Sequence, residues 1–122
     1  MPSNKASRYL QHIVANAQAI FHYTEGMEFA QFEEDRKTYD AVERCLQRIT
    51  EAVIRLGDNA EELMPGQPWQ RIRGFGNRLR HNYDSIEEDR LFDIVRNDLP
   101  ALLAHVQAAL EKLPESEGGE RT

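Results

Sequence analysis

The chain is predicted to be all-α, an up-and-down bundle of four to five helices. Two observations carry that prediction. Apolar residues recur at steps of three and four through most of the 122 residues, the period of one helical face. No segment alternates apolar and polar residues as a half-buried strand would.

The elements follow in order. Ser7 is positioned to cap a first helix running to about Thr24, with Leu10, Ile13, Ala17, Ile20 and Phe21 as its buried stripe and Gly26 as its stop. The segment MEFAQFEEDR holds a single turn in which Phe29 and Phe32 pin the chain to the core while Glu33, Glu34 and Asp35 stay wet. A second long helix spans about Arg36 to Leu56. Tyr39, Val42, Leu46, Ile49, Val53 and Leu56 keep their spacing for three heptads, which reads as core, and Gly57 stops the helix. Asp58 or Asn59 caps one further turn, AEELM. Pro65, Gly66 and Pro68 form a rigid turn, and Pro68 suits the start of the next helix. Later, Ser85-Ile86-Glu87-Glu88 has the pattern of a capping box. The last helix it would open turns Leu91, Val95, Leu99, Leu102, Val106, Ala109 and Leu113 inward, and Pro100 should bend or split it near Asp98. Residues 1–113 form one domain with one core, and the polar, glycine-rich 114–122 is expected to be a disordered tail.

Composition narrows the function classes. Charged residues make up 30% of the chain, and no apolar run approaches membrane-spanning length. MPSNKASRYL lacks the apolar region of a signal peptide, and Cys45 is the single cysteine, so a cytoplasmic location without membrane contact is expected. His12, His22, His81 and His105 fit no zinc spacing, and no metal or cofactor is expected. With a net charge of -6, general coating of nucleic acid is disfavoured, so contact with RNA or nucleotides has to be local.

The local candidate is WQRIRGFGNRLRHNYD, residues 69–84. Arg71, Arg73, Arg78 and Arg80 fall within ten positions, and no Asp or Glu occurs between Glu62 and Asp84. Such a strip in an acidic chain asks for a phosphate partner. As a helix, it places Trp69, Ile72, Gly76, Leu79 and Tyr83 on one stripe, with Gln70, Gly74, Asn77 and His81 roughly opposite. His81 leans back toward Asn77 and Arg78, so an imidazole, an amide and a guanidinium can meet over one turn. Gly74 and Gly76 each cost about 1 kcal/mol inside a helix, which suggests close approach of another backbone or a ligand. The bland alternative is a solvated arginine face beside a surface histidine, with the arginines paired to Asp84, Glu87 and Glu88.

Three blocks, DRKTYDAVERCLQRITEAVIRL, PWQRIRGFGNRLRHNYD and DIVRNDLPALL, occur in an order and at distances that resemble the HepT-like toxins of the HEPN superfamily. The resemblance covers roughly residues 8–113. It implies a helical-bundle homodimer acting as a metal-independent ribonuclease, the toxin of a type VII-like toxin–antitoxin pair whose partner is an MNT-type nucleotidyltransferase. The family's site is an Arg, four to six residues, a His, and a Tyr one residue further on. It maps the histidine onto His81, the tyrosine onto Tyr83 and the polar residue after the arginine onto Asn77. The arginine maps onto position 76, where this chain has Gly76. Arg78 is the local substitute and Arg73 the alternative across a dimer interface, with Arg73 and Arg80 as phosphate contacts. Another alternative is a non-catalytic member that keeps only its nucleotidyltransferase partner, cleavage having gone with the arginine. The resemblance also implies that the partner adds AMP to Tyr83.

Overall fold

A computed structural model describes residues 2–81 and 86–113, and side-chain environments from Lys5 onward. All regular structure among them is helical: α1 (Pro2–Tyr23), α2 (Phe29–Glu34), α3 (Arg36–Leu56), α4 (Asn59–Leu63), α5 (Trp69–His81), α6 (Glu88–Asp93), a π turn (Ile94–Asp98) and α7 (Leu99–Lys112). This is the all-α bundle the periodicity predicts.

α3 is its spine. The six stripe residues are all buried, joined by Cys45, Thr50 and Ala52, so the helix offers core to partners on two sides. One side takes α1, the other takes α5, and α1 in turn packs on α7. From α1, Leu10, Ile13, Ala17 and Ile20 are sealed completely, while Phe21 is only half-buried. Each fully buried Leu or Ile contributes roughly 1.5–3 kcal/mol relative to exposure, so these few positions orient α1 against α3.

α3 begins on a side-chain cap. The carboxylate of Asp35 accepts from the Thr38 backbone N–H at 3.0 Å and from the Thr38 hydroxyl at 2.8 Å. Those bonds, the backbone one first, hold the carboxyl below its ordinary range. Asp35 is therefore a half-buried cap rather than the wet residue expected. Gly57 closes the helix at φ 57°, a left-handed angle that glycine takes without strain.

α2 packs on α6 and α3 through Phe32, whose ring lies 5.1 Å from Phe92 and 6.1 Å from Tyr39, centroid to centroid. The Tyr39 hydroxyl donates to the Ile86 carbonyl and anchors the chain just before α6. Ser7 is not an N-cap. α1 starts five residues earlier, at Pro2, and the Ser7 hydroxyl instead accepts from Gln11 at 3.4 Å within the helix. Proline is at home in a helix's first turn, where its missing N–H would be unsatisfied anyway. Near Asp98 the helix is not split: α6 runs through the π turn into α7, which starts at Leu99 with Pro100 in its first turn. Leu91, Val95, Leu99, Val106 and Ala109 are buried as expected, with Leu102 and Leu113 half-buried. The capping box at Ser85 and the tail 114–122 lie outside the described residues.

Candidate active site

α5 is held from one side. Its Trp69 indole N–H donates to the Met64 carbonyl at 2.9 Å, both groups buried, which fixes the first turn against the chain leaving α4. In the middle, Gly76 lies against Thr50 of α3. A Cβ at position 76 would stand 2.6 Å from the Thr50 Cβ and 2.8 Å from its hydroxyl. Gly76 is thus the close approach that its cost suggests, whereas Gly74 has nothing within 4 Å of where its Cβ would be. In the last turn, Gln47 of α3 donates from Nε2 to the Leu79 carbonyl at 3.2 Å. Trp69, Gly76 and Leu79 are the buried residues of the helix, three of the stripe the spacing marks. Ile72 is half-buried and Tyr83 lies outside the described residues.

The opposite face is open: Gln70, Gly74, Asn77 and His81 are all exposed, as the helical wheel requires. The expected meeting of amide and guanidinium occurs, with a different arginine. Arg80, not Arg78, donates from Nη2 to the Asn77 Oδ1 at 2.7 Å, across one turn. Arg78 and His81 are exposed, and among the described residues neither forms a hydrogen bond or an ion pair. Arg71 is exposed as well.

Arg73 is placed differently. Its fork grips Glu61 of α4 at 2.8 and 2.9 Å, and a second bond from Nη2 reaches the Gly57 carbonyl at 2.9 Å. The Glu61 carboxyl is held below its ordinary range, first by that hydrogen bond, and the guanidinium is raised above its own by the same contact. Three of its five N–H donors tie α5 to the α3–α4 corner, so a phosphate would have to displace Glu61 to take the fork. No arginine of the strip pairs with Glu87 or Glu88 among the described residues.

Three participants escaped the sequence reading. Glu61 lies twelve residues from Arg73 and on another helix, so a strip without acids in sequence acquires one in space. Thr50 sits one position past the core stripe; its hydroxyl donates to the Gln47 carbonyl at 3.0 Å, and the glycine opposite leaves room for its side chain. The polar face of α3, with Arg44, Arg48 and Arg55 at helical spacing, was legible but overshadowed by the apolar stripe beside it.

A family profile described as Ribonuclease HepT-like matches residues 13–109, which include every helix bearing on this site. The chain belongs to the HepT-like ribonuclease family. A protein of Methanocaldococcus jannaschii provisionally described as an RNase is 30% identical to this HepT-like chain over 113 residues, covering 93% of each. A protein of Thermococcus cleftensis described as a probable ribonuclease HepT is 31% identical over 94 residues, covering 77% of this chain and 86% of that one. A provisional RNase of Caldanaerobacter subterraneus is 28% identical over 104 residues, covering 85% and 93%. No solved structure matches the chain at a significant level. No helix among the described residues of this HepT-like chain is long and apolar enough to cross a membrane.

Proposed function

We propose that the chain is an RNA endonuclease, the toxin of a toxin–antitoxin pair, with its site on the exposed face of α5. The observation that carries this reading is the family match over residues 13–109 together with the open His81–Asn77–Arg80 face, which the core leaves to solvent. The reaction is transesterification by the RNA's own 2′-hydroxyl. The 2′-oxygen bonds to phosphorus and the bond to the 5′-oxygen breaks, leaving a 2′,3′-cyclic phosphate and a 5′-hydroxyl. An imidazole, with an ordinary pKa near 6.5, takes the proton from the 2′-oxygen or supplies one to the 5′-oxygen. Arginine forks hold the phosphate where charge builds up. A homodimer pairing two His81 side chains in one cleft supplies both proton transfers. Arg78 is favoured over Arg73 as the stand-in for the family arginine, because Arg73 is already bound to Glu61 and Gly57. An MNT-type nucleotidyltransferase partner would neutralise the toxin by adding AMP to Tyr83, putting a negative phosphodiester and a purine beside the arginines.

One observation favours a second reading, a binding protein without cleavage. The position that the family fills with arginine is packed so tightly on Thr50 that not even a Cβ fits. Purified chain incubated with a labelled RNA pool decides between them. Cyclic-phosphate ends that appear with wild type and vanish with His81→Ala support the nuclease. No cleavage by wild type, with the nucleotidyltransferase still bound, supports the binder.

A further inference from the structure

A second basic surface lies between α1 and α3 and meets the open face of α5 at one edge. It is an open groove of about 570 Å³. α1 contributes Arg8, Tyr9 and His12 to its wall, and α3 contributes Arg44, Arg48 and Arg55. Arg80 reaches its edge from the last turn of α5. Five arginines thus line it against one carboxylate, Glu51, in a chain whose net charge is -6. Glu51 is spoken for by Arg55 at 3.1 Å. Arg8, Arg44, Arg48 and Arg80 form no ion pair among the described residues. Unpaired arginines facing one another across a groove repel, and a bound polyanion relieves that repulsion.

Shape and chemistry narrow the polyanion. Arg44 to Arg55 spans eleven residues of helix, roughly 16 Å at 1.5 Å each, longer than one phosphate group needs. The Tyr9 and His12 rings meet edge to face with centroids 6.3 Å apart, and His12 is exposed. Guanidinium groups beside an exposed imidazole backed by a half-buried tyrosine are a combination that can hold a single strand, backbone on the cations and a base on the ring. Arg80 gives the groove a direction, since it immediately precedes His81.

We propose that the α1–α3 groove binds the backbone of single-stranded RNA and leads the strand to the His81 turn of α5. The groove is a binding site in its own right, and the reading of the chain as a nuclease supplies only where the strand goes next. The test is fluorescence anisotropy with a labelled 2′-O-methyl RNA strand, which cannot undergo 2′-hydroxyl cleavage, so binding is read without catalysis. The R44E/R48E double variant is compared with R90E/K112E, which changes the net charge equally on α6 and α7. Expected is at least a tenfold weakening for the groove variant and a shallower salt dependence, its log–log slope reduced by about 1.4 for two lost phosphate contacts on a single strand. The control pair should stay within twofold of wild type. Should the reversed charges unfold the chain, R44Q/R48Q replaces them, with the same expectation of a shallower slope. Equal weakening by both pairs, or wild-type affinity in the groove variant, overturns the proposal. So does a groove variant that turns a dimer into a monomer by sedimentation while RNA affinity holds, because the groove would then belong to a second copy. A chain that binds the methylated strand through this groove but cuts no RNA refutes the nuclease reading and leaves the groove standing.

Discussion

The chain presents arginines on two surfaces that meet at Arg80, and on each surface one arginine is paired with a carboxylate. On α5, four arginines lie close in sequence, yet Arg73 is consumed by Glu61 and the Gly57 carbonyl, and Arg80 is shared with Asn77. In the α1–α3 groove the arginines are scattered from Arg8 to Arg80, and only Arg55 is paired with a carboxylate among the described residues. A dense run of basic residues therefore marks only part of the unneutralised charge: among the described residues Arg71, Arg78 and Arg80 of the strip form no ion pair, and neither do Arg8, Arg44 and Arg48 of the groove. Charge density in space depends on which helices meet, and α4 brings an acid to the strip that the sequence around it lacks.

Changes to α5 break this comparison most severely where the helix touches α3. Gly76→Arg should destabilise the fold by about 3 kcal/mol, and Gly76→Ala by about 1–3, because even the first carbon overlaps Thr50. Urea denaturation checks it. In a Thr50→Gly background the Gly76→Ala penalty should disappear, whereas Thr50→Ala should leave it, since the nearest atom is the Thr50 Cβ. An undiminished penalty with Thr50→Gly would mean that the contact is not the cause.

Next is the open face. His81→Ala should reduce cleavage by at least about a hundredfold, the range of a lost proton-transfer group, and leave the melting temperature unchanged, since the residue is exposed. Arg78→Ala should behave alike, to a smaller degree. Arg73→Ala should do the reverse. It removes the donor from the half-buried Gly57 carbonyl and lowers stability by about 1 kcal/mol. Loss of activity greater than loss of stability in Arg73→Ala would return that residue to the site. The same bridge has a pH signature. Glu61 is depressed from a value near 4.5, so its contribution is present above that value and is lost as pH falls through the lower folded one. Arg73→Ala should flatten that portion of the stability–pH curve. The smallest effect is a gain. Gly74→Ala should stabilise the helix by about 0.5–1 kcal/mol, because no atom lies within 4 Å of the new methyl group.

Legibility in the sequence follows the range of the interactions involved. The bounds Arg36 and Leu56 of α3 could be read directly, because six apolar residues at helical spacing and a terminal glycine are all local signals. The stripe of α5 and the exposure of Asn77 and His81 were legible for the same reason. The start of α1 was not, since a serine that could cap lay inside a helix opened by Pro2. Of the two costly glycines only Gly76 proved to be a contact. Spacing shows that a glycine faces the core, but which atom it meets depends on the partner helix. The groove needed α1, α3 and α5 to be placed before its arginines could be seen together.

The π turn at Ile94–Asp98 has a consequence for helix phase. Its Leu99 N–H reaches back five residues to the Ile94 carbonyl, one more than in an α-helix, so the segment carries an extra residue without breaking the rod. Deleting one residue there would restore an ordinary turn and rotate everything beyond it by about 100°. Val106 and Ala109 would swing off α1, while Leu91 and Phe92 kept their places against α2. The turn acts as a phase adapter: it lets one continuous rod face two different partners, α2 at one end and α1 at the other.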